Sequence, residues 1–254
     1  MDLKGKPENV SVHLASLLYF VTDRRNKSLG DKIAKKGEKL IQEKGIKFDL
    51  IHAHFSWPYG HAAVKLGQKY NVPIVITIHE GMERLIQEYN SQDEKIYWTW
   101  KNANALIRVN QKNIPLLKEF NKNVFYVPNG FTSSLFYPMD KTKVKRKLNL
   151  PLDKKIVLNV ANLYLVKGQR YLIEAVKELV KYRKDVLCII VGDGPLRKDL
   201  KSQIKKLCLE NYVKLVGSKP HDEIPLWMNA ADLFVLPSLS EGNPTVMFEA
   251  LGVG

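Results

Sequence analysis

The chain has 254 residues, 45% of them hydrophobic, which is enough apolar material for one large or two modest globular α/β domains. It contains 40 Lys and Arg residues against 26 Asp and Glu, and the formal charge of +14 favours anionic partners such as nucleotides, phospholipid head groups or nucleic acid. No run of ~18 apolar residues occurs, and the polar start of the chain lacks a signal-peptide core, so neither a membrane-spanning helix nor a secretory leader is expected.

The two cysteines, Cys188 and Cys208, both resemble small buried hydrophobic residues. Cys188 lies in an apolar run, and Cys208 falls on the apolar face of a predicted helix. Unpaired buried cysteines are typical of a reducing compartment, so the sequence predicts a cytoplasmic protein.

Short apolar runs alternate with amphipathic stretches along the chain. A helix-rich lead-in is predicted after Ser11, with its clearest helix at 31–44. The strand candidates are nearly continuous in hydrophobicity, a pattern typical of strands covered on both faces in a parallel sheet. The predicted strands are 48–53, 73–78, 105–109, 123–127, 155–160, 186–191, 212–216 and 233–236.

Two helices are predicted in the second half of the chain, at 170–182 and 195–209. The second helix places Lys198, Lys201 and Lys205 together on a face away from its apolar stripe. Alternating strands and helices of this kind predict a doubly wound α/β architecture.

A change of composition between residues 129 and 151 indicates the hinge between two domains. The segment holds Asn129-Gly130, Pro138, the basic run 141–147 and Pro151. We therefore predict domains at 1–137 and 138–254. Both are expected to be incomplete, because the first strong strand begins only near residue 48, which leaves the first sheet few strands, and the chain stops within or just after a helix.

The segment from Leu236 to Glu249 is predicted to run from the end of a strand, through a loop, into a helix. Asn243 suits the N-cap of that helix and Pro244 its first turn, while Gly242 permits a sharp bend and close approach of a ligand. The free amides around Asn243, Thr245 and Val246 would form an anion site at a helix N-terminus, which suits a diphosphate.

Two carboxylates flank this predicted anion site. Glu241 precedes the helix, and Glu249 lies on it with a side chain that leans toward the N-terminus. A carboxylate accepts two hydroxyl hydrogen bonds, so the pair suits vicinal diols on a ribose and a hexose. An ordinary capped helix with two surface glutamates is the alternative.

These residues also carry a family resemblance. Ser240-Glu-Gly-Asn-Pro-Thr-Val-Met-Phe-Glu-Ala250 resembles the signature of family-4 retaining glycosyltransferases, which have the GT-B fold of two Rossmann-like domains facing across a cleft. The similarity extends over about residues 40–254. The other matching segments, in order, are Asp49-Leu-Ile-His-Ala-His54, Thr77-Ile-His79, Val127-Pro-Asn-Gly130, Lys167-Gly168, Val191-Gly-Asp-Gly-Pro195 and Ala230-Ala-Asp-Leu-Phe-Val-Leu-Pro-Ser238.

The resemblance implies roles for several of these residues. Glu241 would contact the donor sugar, Glu249 the nucleotide ribose, and Lys167 the diphosphate, whose negative charge grows as the glycosidic bond breaks. Members of the family usually carry an arginine at the position of Asn162. An amide brings no charge, so donor affinity would be lower here unless another basic residue such as Arg170 substitutes.

Two glycine turns are expected beside the nucleotide. Gly192-Asp-Gly194 lacks the third glycine of a dinucleotide fingerprint, which argues against a nicotinamide or flavin site. It is expected to form a tight turn lining the nucleotide cleft. The segment from Gly217 to Pro220 has the same topological place, where the family holds the base largely by backbone.

Histidines end the predicted strands of the first domain. The family places a histidine near the reacting sugar, which would be His79. His52 and His54 alternate on one strand, and His54, nearer the strand end, is the acceptor-side candidate. Metal binding is not predicted, since no Cys, Asp or Glu framework accompanies them. Histidines with only structural roles are the alternative.

The sequence thus predicts a metal-independent glycosyltransferase of cell-envelope polysaccharide. It would move a hexose from a UDP-, GDP- or ADP-sugar to a sugar or lipid-linked acceptor, and the family resemblance implies that the transfer proceeds with retention. No cofactor is required, and the basic surface suggests peripheral contact with the inner face of an anionic membrane. Two alternatives stay open: a non-catalytic nucleotide- or anionic-lipid-binding remnant of the fold, and a nucleotide-sugar epimerase using His79 and Glu80. A nucleic-acid partner is not expected.

Overall fold

The computed structural model describes residues 8–17 and 28–254. The chain divides into two compact units, Met1–Val127 and Pro128–Gly254, whereas the sequence placed the boundary after residue 137. Phe136 explains the difference, because its side chain is 1% exposed and packs in a core of the second unit with Ile156 and Leu158. Among the described residues, no helix combines the length and apolarity that crossing a bilayer requires.

The first unit is a parallel four-stranded sheet in the order β1-β2-β3-β4. A turn at Ser56–Gly60, in which Trp57 is extended, follows β1, and a 3-10 turn at Gln111–Asn113 precedes α5. The elements are α1 (Leu29–Lys44), β1 (Ile51–His54), α2 (His61–Tyr70), β2 (Ile74–Ile78), α3 (Met82–Asn90), α4 (Glu94–Asn102), β3 (Ala105–Arg108), α5 (Ile114–Lys118) and β4 (Val124–Tyr126).

The second unit is also a parallel four-stranded sheet, in the order β7-β6-β5-β8. A 3-10 turn at Leu165–Lys167 lies between β5 and α7. The elements are α6 (Lys141–Lys147), β5 (Lys155–Val160), α7 (Gln169–Tyr182), β6 (Val186–Val191), α8 (Arg197–Lys206), β7 (Val213–Gly217), α9 (Ile224–Ala230), β8 (Leu233–Phe234) and α10 (Thr245–Gly252).

Helices cover both faces of the second sheet. On β5, Val157 packs in a core with Ile173 of α7, while its neighbours Ile156 and Leu158 pack in another core with Trp227 of α9. This is the alternation of faces that a strand imposes. Every residue of β6 is buried, as expected for a central strand covered on both sides. The predicted α/β class with parallel sheets is confirmed.

The basic run at 141–147 is not part of a hinge, as the sequence suggested, but forms α6 of the second unit. Its N-cap is Asp140, whose carboxylate accepts the Lys143 N–H at 2.8 Å. Lys145 is buried and donates to Lys154 O at 2.9 Å and to Asp232 at 3.3 Å. Because the lysine stem is packed and its ammonium paired, the run folds as structure and not as linker.

Two smaller predictions need correction. Helix α8 ends at Lys206, and Cys208 lies beyond it, exposed and with φ 55, so it is not the buried helical residue that was expected. Cys188 is buried as predicted, and burial raises the pKa of its thiol to about 12. Of the predicted lead-in, residues 18–27 lie outside the described part of the chain, and residues 11–17 hold no helix.

Candidate functional site

The loops that follow β5 and β8 lie side by side at the carboxyl end of the second sheet. Gly168 has φ 67, and a Cβ at this position would lie 2.0 Å from Pro237 O, so only glycine permits the close approach. The N–H of Leu239 donates to Val166 O at 2.8 Å. These contacts fix the 3-10 turn that carries Lys167 against the loop that carries Glu241.

Lys167 and Glu241 form an ion pair as a result. Lys167 Nζ lies 2.7 Å from Glu241 Oε1, and the two side chains are 26% and 23% exposed. The pair is therefore accessible to a ligand but partly shielded from water, where a charge-assisted hydrogen bond is stronger than on an open surface.

A second close approach joins the loops after β5 and β6. Gly192 has φ 141, and a Cβ there would lie 2.0 Å from Ala161 O. Its N–H donates to Gly217 O at 2.9 Å. The predicted tight turn is present, and it draws the ends of three neighbouring strands together without side chains between them.

Helix α10 begins one residue later than the sequence suggested. Asn243 is not its N-cap and Pro244 is not helical: Pro244 has ψ 116, an extended conformation, and occupies the cap position without a side-chain hydrogen bond. The Asn243 carbonyl instead accepts the Asn129 side-chain N–H at 2.7 Å. Thr245 is the first helical residue, so the helix presents its opening amides from Thr245 onward.

A pocket of about 490 Å³ opens where these loops meet α10. Seven of the residues predicted to bind the donor line it, whereas Gly217, Gly242 and Asn243 are not among the lining residues. The seven are Asn162, Lys167, Gly192, Glu241, Thr245, Val246 and Glu249.

The structure adds lining residues that the sequence analysis did not single out. Ser218, Lys219 and His221 extend the pocket along the loop after β7. His221 Nε2 lies 3.1 Å from Glu249 Oε1. From the sequence, the segment from Gly217 to Pro220 is expected to lie beside the nucleotide. That segment belongs to this loop but ends one residue before His221.

Arg170 does not replace the charge missing at Asn162. It lines a separate groove between α7 and α8 with Glu174 and Gln203, and Gln203 donates to the Arg170 carbonyl at 3.1 Å. The basic residue added to the pocket is Lys219, whose ammonium also lies 5.4 Å from the centre of the Trp227 ring.

In the first unit, histidines gather at the carboxyl ends of β1 and β2. His54 Nδ1 lies 2.8 Å from His79 Nε2, and the two rings stack with centroids 5.0 Å apart. His52 Nε2 lies 2.8 Å from Thr77 Oγ1, and its ring is 4.7 Å from that of His54. His52 and His54 therefore share one face of β1, as the strand period predicted.

The neutral forms of two of these histidines are favoured. Burial lowers the pKa of His79, and the charges of His54, Arg108 and His52 lower it further. Burial and the nearby His54 lower the pKa of His52. In the described residues, no three His, Cys, Asp or Glu side chains are arranged to hold a metal ion.

Buried charges support the loop around His79. Glu80 is 3% exposed, and its Oε1 accepts the Ser56 N–H at 2.7 Å, while Arg108 is fully buried and donates to Ile78 O at 2.8 Å. Burial raises the pKa of Glu80, and burial together with the charge of Glu80 raises the pKa of Glu88 to about 7. His79 thus lies between Ile78, whose carbonyl is held by Arg108, and Glu80, whose side chain is held by the Ser56 N–H.

Models of two glycosyltransferase families match the chain: Glycosyltransferase Family 4 over residues 4–134, and Glycosyl transferases group 1 over residues 140–254. The chain belongs to the family-4 glycosyltransferases. A putative teichuronic acid biosynthesis glycosyltransferase, TuaC of Bacillus subtilis, is 32% identical over 87% of this chain and 55% of its own length. The chain thus spans little more than half the length of this relative.

Solved structures give the same fold. Sucrose-phosphate synthase from Thermosynechococcus elongatus matches 98% of this chain and 66% of its own with a TM-score of 0.75 at 22% identity. Anabaena HepE in complex with UDP-glucose matches 89% of this chain and 63% of its own, with a TM-score of 0.70 at 25% identity. The chain therefore has the two-unit α/β fold of GT-B glycosyltransferases.

Proposed function

We propose that the chain transfers a hexose from a nucleotide diphosphosugar to an acceptor, with retention and without a metal ion. One observation carries the proposal: a single pocket brings Lys167, Glu241 and Glu249 to the opening amides of α10. Two acids, a cation and a helix N-terminus are the groups that two sugars and a diphosphate between them require.

Each group has a proposed role in holding the donor. The diphosphate lies against the amides of Thr245 and Val246, and Lys167 stabilises the charge that develops on it as the bond to the sugar breaks. Glu249 accepts hydrogen bonds from the ribose, and Glu241 accepts them from the hexose. Because Lys167 is paired with Glu241 before the donor binds, donor binding replaces the Lys167–Glu241 ion pair with one between Lys167 and the diphosphate.

His79 and His54 are proposed to serve the sugar and acceptor. A neutral His79 can both donate and accept, which suits a hydrogen bond to a hydroxyl of the transferred sugar. In the proposed transfer, the acceptor oxygen bonds to the anomeric carbon as the bond to the diphosphate breaks. The acceptor proton passes to the leaving phosphate on the same face, so no enzyme nucleophile is needed.

The donor is proposed to be a UDP-, GDP- or ADP-sugar. The likeness to HepE bound to UDP-glucose makes UDP-glucose the first donor to test. The likeness to TuaC supports an acceptor in cell-envelope polysaccharide synthesis.

Donor hydrolysis tests the proposal. The wild-type chain is expected to release nucleoside diphosphate from at least one nucleotide sugar in the presence of a chelator, and Glu241→Ala is expected to release none. Glu178→Ala, on the exposed face of α7, is the matched control and keeps wild-type activity. The anomeric configuration of the product, read by NMR, tests retention.

Two other results would contradict the proposal. A wild type that binds nucleoside diphosphate but releases none from any donor would favour the non-catalytic binding protein. Conversion of one nucleotide sugar into its epimer would favour the epimerase.

We also propose peripheral contact with an anionic membrane on the cytoplasmic side. As predicted, Lys198, Lys201 and Lys205 lie together, and they line a groove of about 700 Å³ between α8 and β7 that also contains Arg197. Lysines near an anionic surface each add roughly 1 kcal/mol of attraction.

Replacing Lys198, Lys201 and Lys205 by glutamine is expected to reduce co-sedimentation with phosphatidylserine vesicles, whereas replacing Lys177, Lys181 and Lys184 is not. Binding that ignores the phosphatidylserine content would remove this proposal.

A further inference from the structure

His221 lies on the turn between β7 and α9, at the end of the pocket that holds Glu249. Its Nε2 is 3.1 Å from Glu249 Oε1. The side chain of Glu249 is only 12% exposed, whereas that of His221 is 65% exposed. The histidine is therefore the polar partner that the structure gives to a largely enclosed carboxylate.

The imidazole is held from a second direction by Phe136. The two ring centroids are 5.4 Å apart at an interplanar angle of 60°, and Phe136 is fixed in the core of the second unit. Aromatic rings at this separation attract each other and restrict one another's rotation. Phe136 therefore restricts the orientation of the His221 ring, although the histidine itself is mostly exposed to solvent.

This bond distinguishes the two oxygens of Glu249. Oε1 accepts from His221, which leaves Oε2 for a ligand in the pocket. A carboxylate held at one oxygen presents the other in one direction, so less rotational freedom is lost when a hydroxyl group binds there. A glutamate without such a partner would have to be ordered by the ligand itself.

We propose that His221 is a positioning residue that orients Glu249 toward the ribose hydroxyls and so makes the site selective for ribonucleotides over deoxyribonucleotides. The inference rests on the proposed donor site, in which Glu249 accepts from the ribose. His221 acts through Glu249 and needs no contact with the reacting atoms.

The test compares a ribonucleotide with the same nucleotide lacking its ribose hydroxyls. The probe is whichever of UDP, GDP and ADP the wild-type chain binds most tightly, together with its 2′,3′-dideoxy form, measured by calorimetry. His221→Ala is expected to lower the affinity for the ribonucleotide roughly tenfold, as for loss of a hydrogen bond to a charged group. The affinity for the dideoxy form is expected to fall less than twofold.

Two further variants separate positioning from a structural role. His221→Gln places an amide N–H near the position of Nε2 and is expected to restore most of the ribonucleotide affinity. Asp222→Ala, on the same turn, is the control and leaves both affinities unchanged. In turnover assays, His221→Ala is expected to raise KM for the donor while kcat changes less than twofold, because the sugar-transfer geometry is untouched.

The outcomes distinguish the inference from the proposed function. A wild type that prefers the ribonucleotide, and keeps that preference in His221→Ala, would overturn the role of His221 alone. An equal loss of affinity for both nucleotides in His221→Ala would also overturn it, because the loss would then not depend on the ribose hydroxyls. A wild type that binds none of the three nucleotides would overturn the donor site and this inference together.

Discussion

Lys167 Nζ and Glu241 Oε1 lie 2.7 Å apart, although 74 positions separate the two residues in the chain. Each is proposed to bind a different part of the donor, the lysine its diphosphate and the glutamate its sugar. Without a donor they satisfy each other, so the charge that would attract a phosphate is partly neutralised.

Glu241→Gln is therefore expected to tighten binding of UDP while abolishing transfer. Removing the carboxylate frees Lys167 for the phosphate, and a partly exposed ion pair of this kind is worth about 1 kcal/mol or less, equivalent to roughly a two- to fivefold gain in affinity. Calorimetry with UDP measures the affinity, and a transfer assay measures the loss of activity. Weaker UDP binding in this variant would mean that Glu241 contacts the nucleotide itself.

His54→Ala is expected to move the titration midpoint of His79 upward, toward the ordinary value of 6.5. Burial lowers the pKa of His79 first, and the charge of His54 lowers it next. Loss of the His54 ring removes that charge and lets water reach His79 Nε2. NMR of the imidazole Cε1–H signals gives the midpoint directly. His13→Ala, which alters an exposed histidine, is the control, and an unchanged His79 midpoint in His54→Ala would contradict the assignment.

Glu88→Gln is expected to stabilise the protein at neutral and alkaline pH and to have little effect near pH 4.5. The pKa of Glu88 is raised from 4.5 to about 7, first by burial and then by the charge of Glu80. The folded state thus holds the proton more tightly, so its stability falls as pH rises from 4.5 through about 7. The shift of 7 − 4.5 = 2.5 units corresponds to at most about 3 kcal/mol.

Urea denaturation at several pH values measures this effect as the difference between variant and wild type. Glu83→Gln, on the exposed side of the same helix, is the matched control and is expected to give a difference independent of pH. A Glu88→Gln variant whose stability follows the wild-type pH profile would show that Glu88 titrates at its ordinary value when folded.

Gly168→Ala is expected to destabilise the second unit by about 2 kcal/mol or more and to weaken binding of UDP. Alanine at φ 67 is strained, and its Cβ would lie 2.0 Å from Pro237 O, so the turn carrying Lys167 has to move. Gly130→Ala is the control, because a Cβ there meets no atom within 4 Å. Chemical denaturation and calorimetry measure the two effects, and equal stability of the two variants would contradict the argument.

The sheets could be predicted well because their signal is local. For β5 and β6, the predicted and observed residues are the same, 155–160 and 186–191. All six residues of β6 are apolar and buried, as expected for a strand covered on both faces, and four of the six residues of β5 are apolar. Strand β8 is shorter than predicted, Leu233–Phe234 in place of 233–236, because hydrophobicity alone does not tell where pairing stops.

The details of the pocket depend on contacts that no local pattern contains. The sequence identified Lys167, Glu241 and Glu249, but not that the first two pair or that His221 bonds the third, because these contacts join segments that are far apart in the chain. The start of α10 was placed too early since the extended ψ of Pro244 depends on how the loop packs. The burial of Glu88 breaks the rule that charged residues are exposed, and nothing in its neighbourhood signals the exception.

The hydrogen bond from Asn129 to the Asn243 carbonyl has a mechanical consequence. Asn129 is two positions beyond Val127, where the first unit ends, and Asn243 immediately precedes the proline that caps α10. This hydrogen bond therefore ties the backbone just after the first unit to the loop that leads into α10, whose first residues line the pocket.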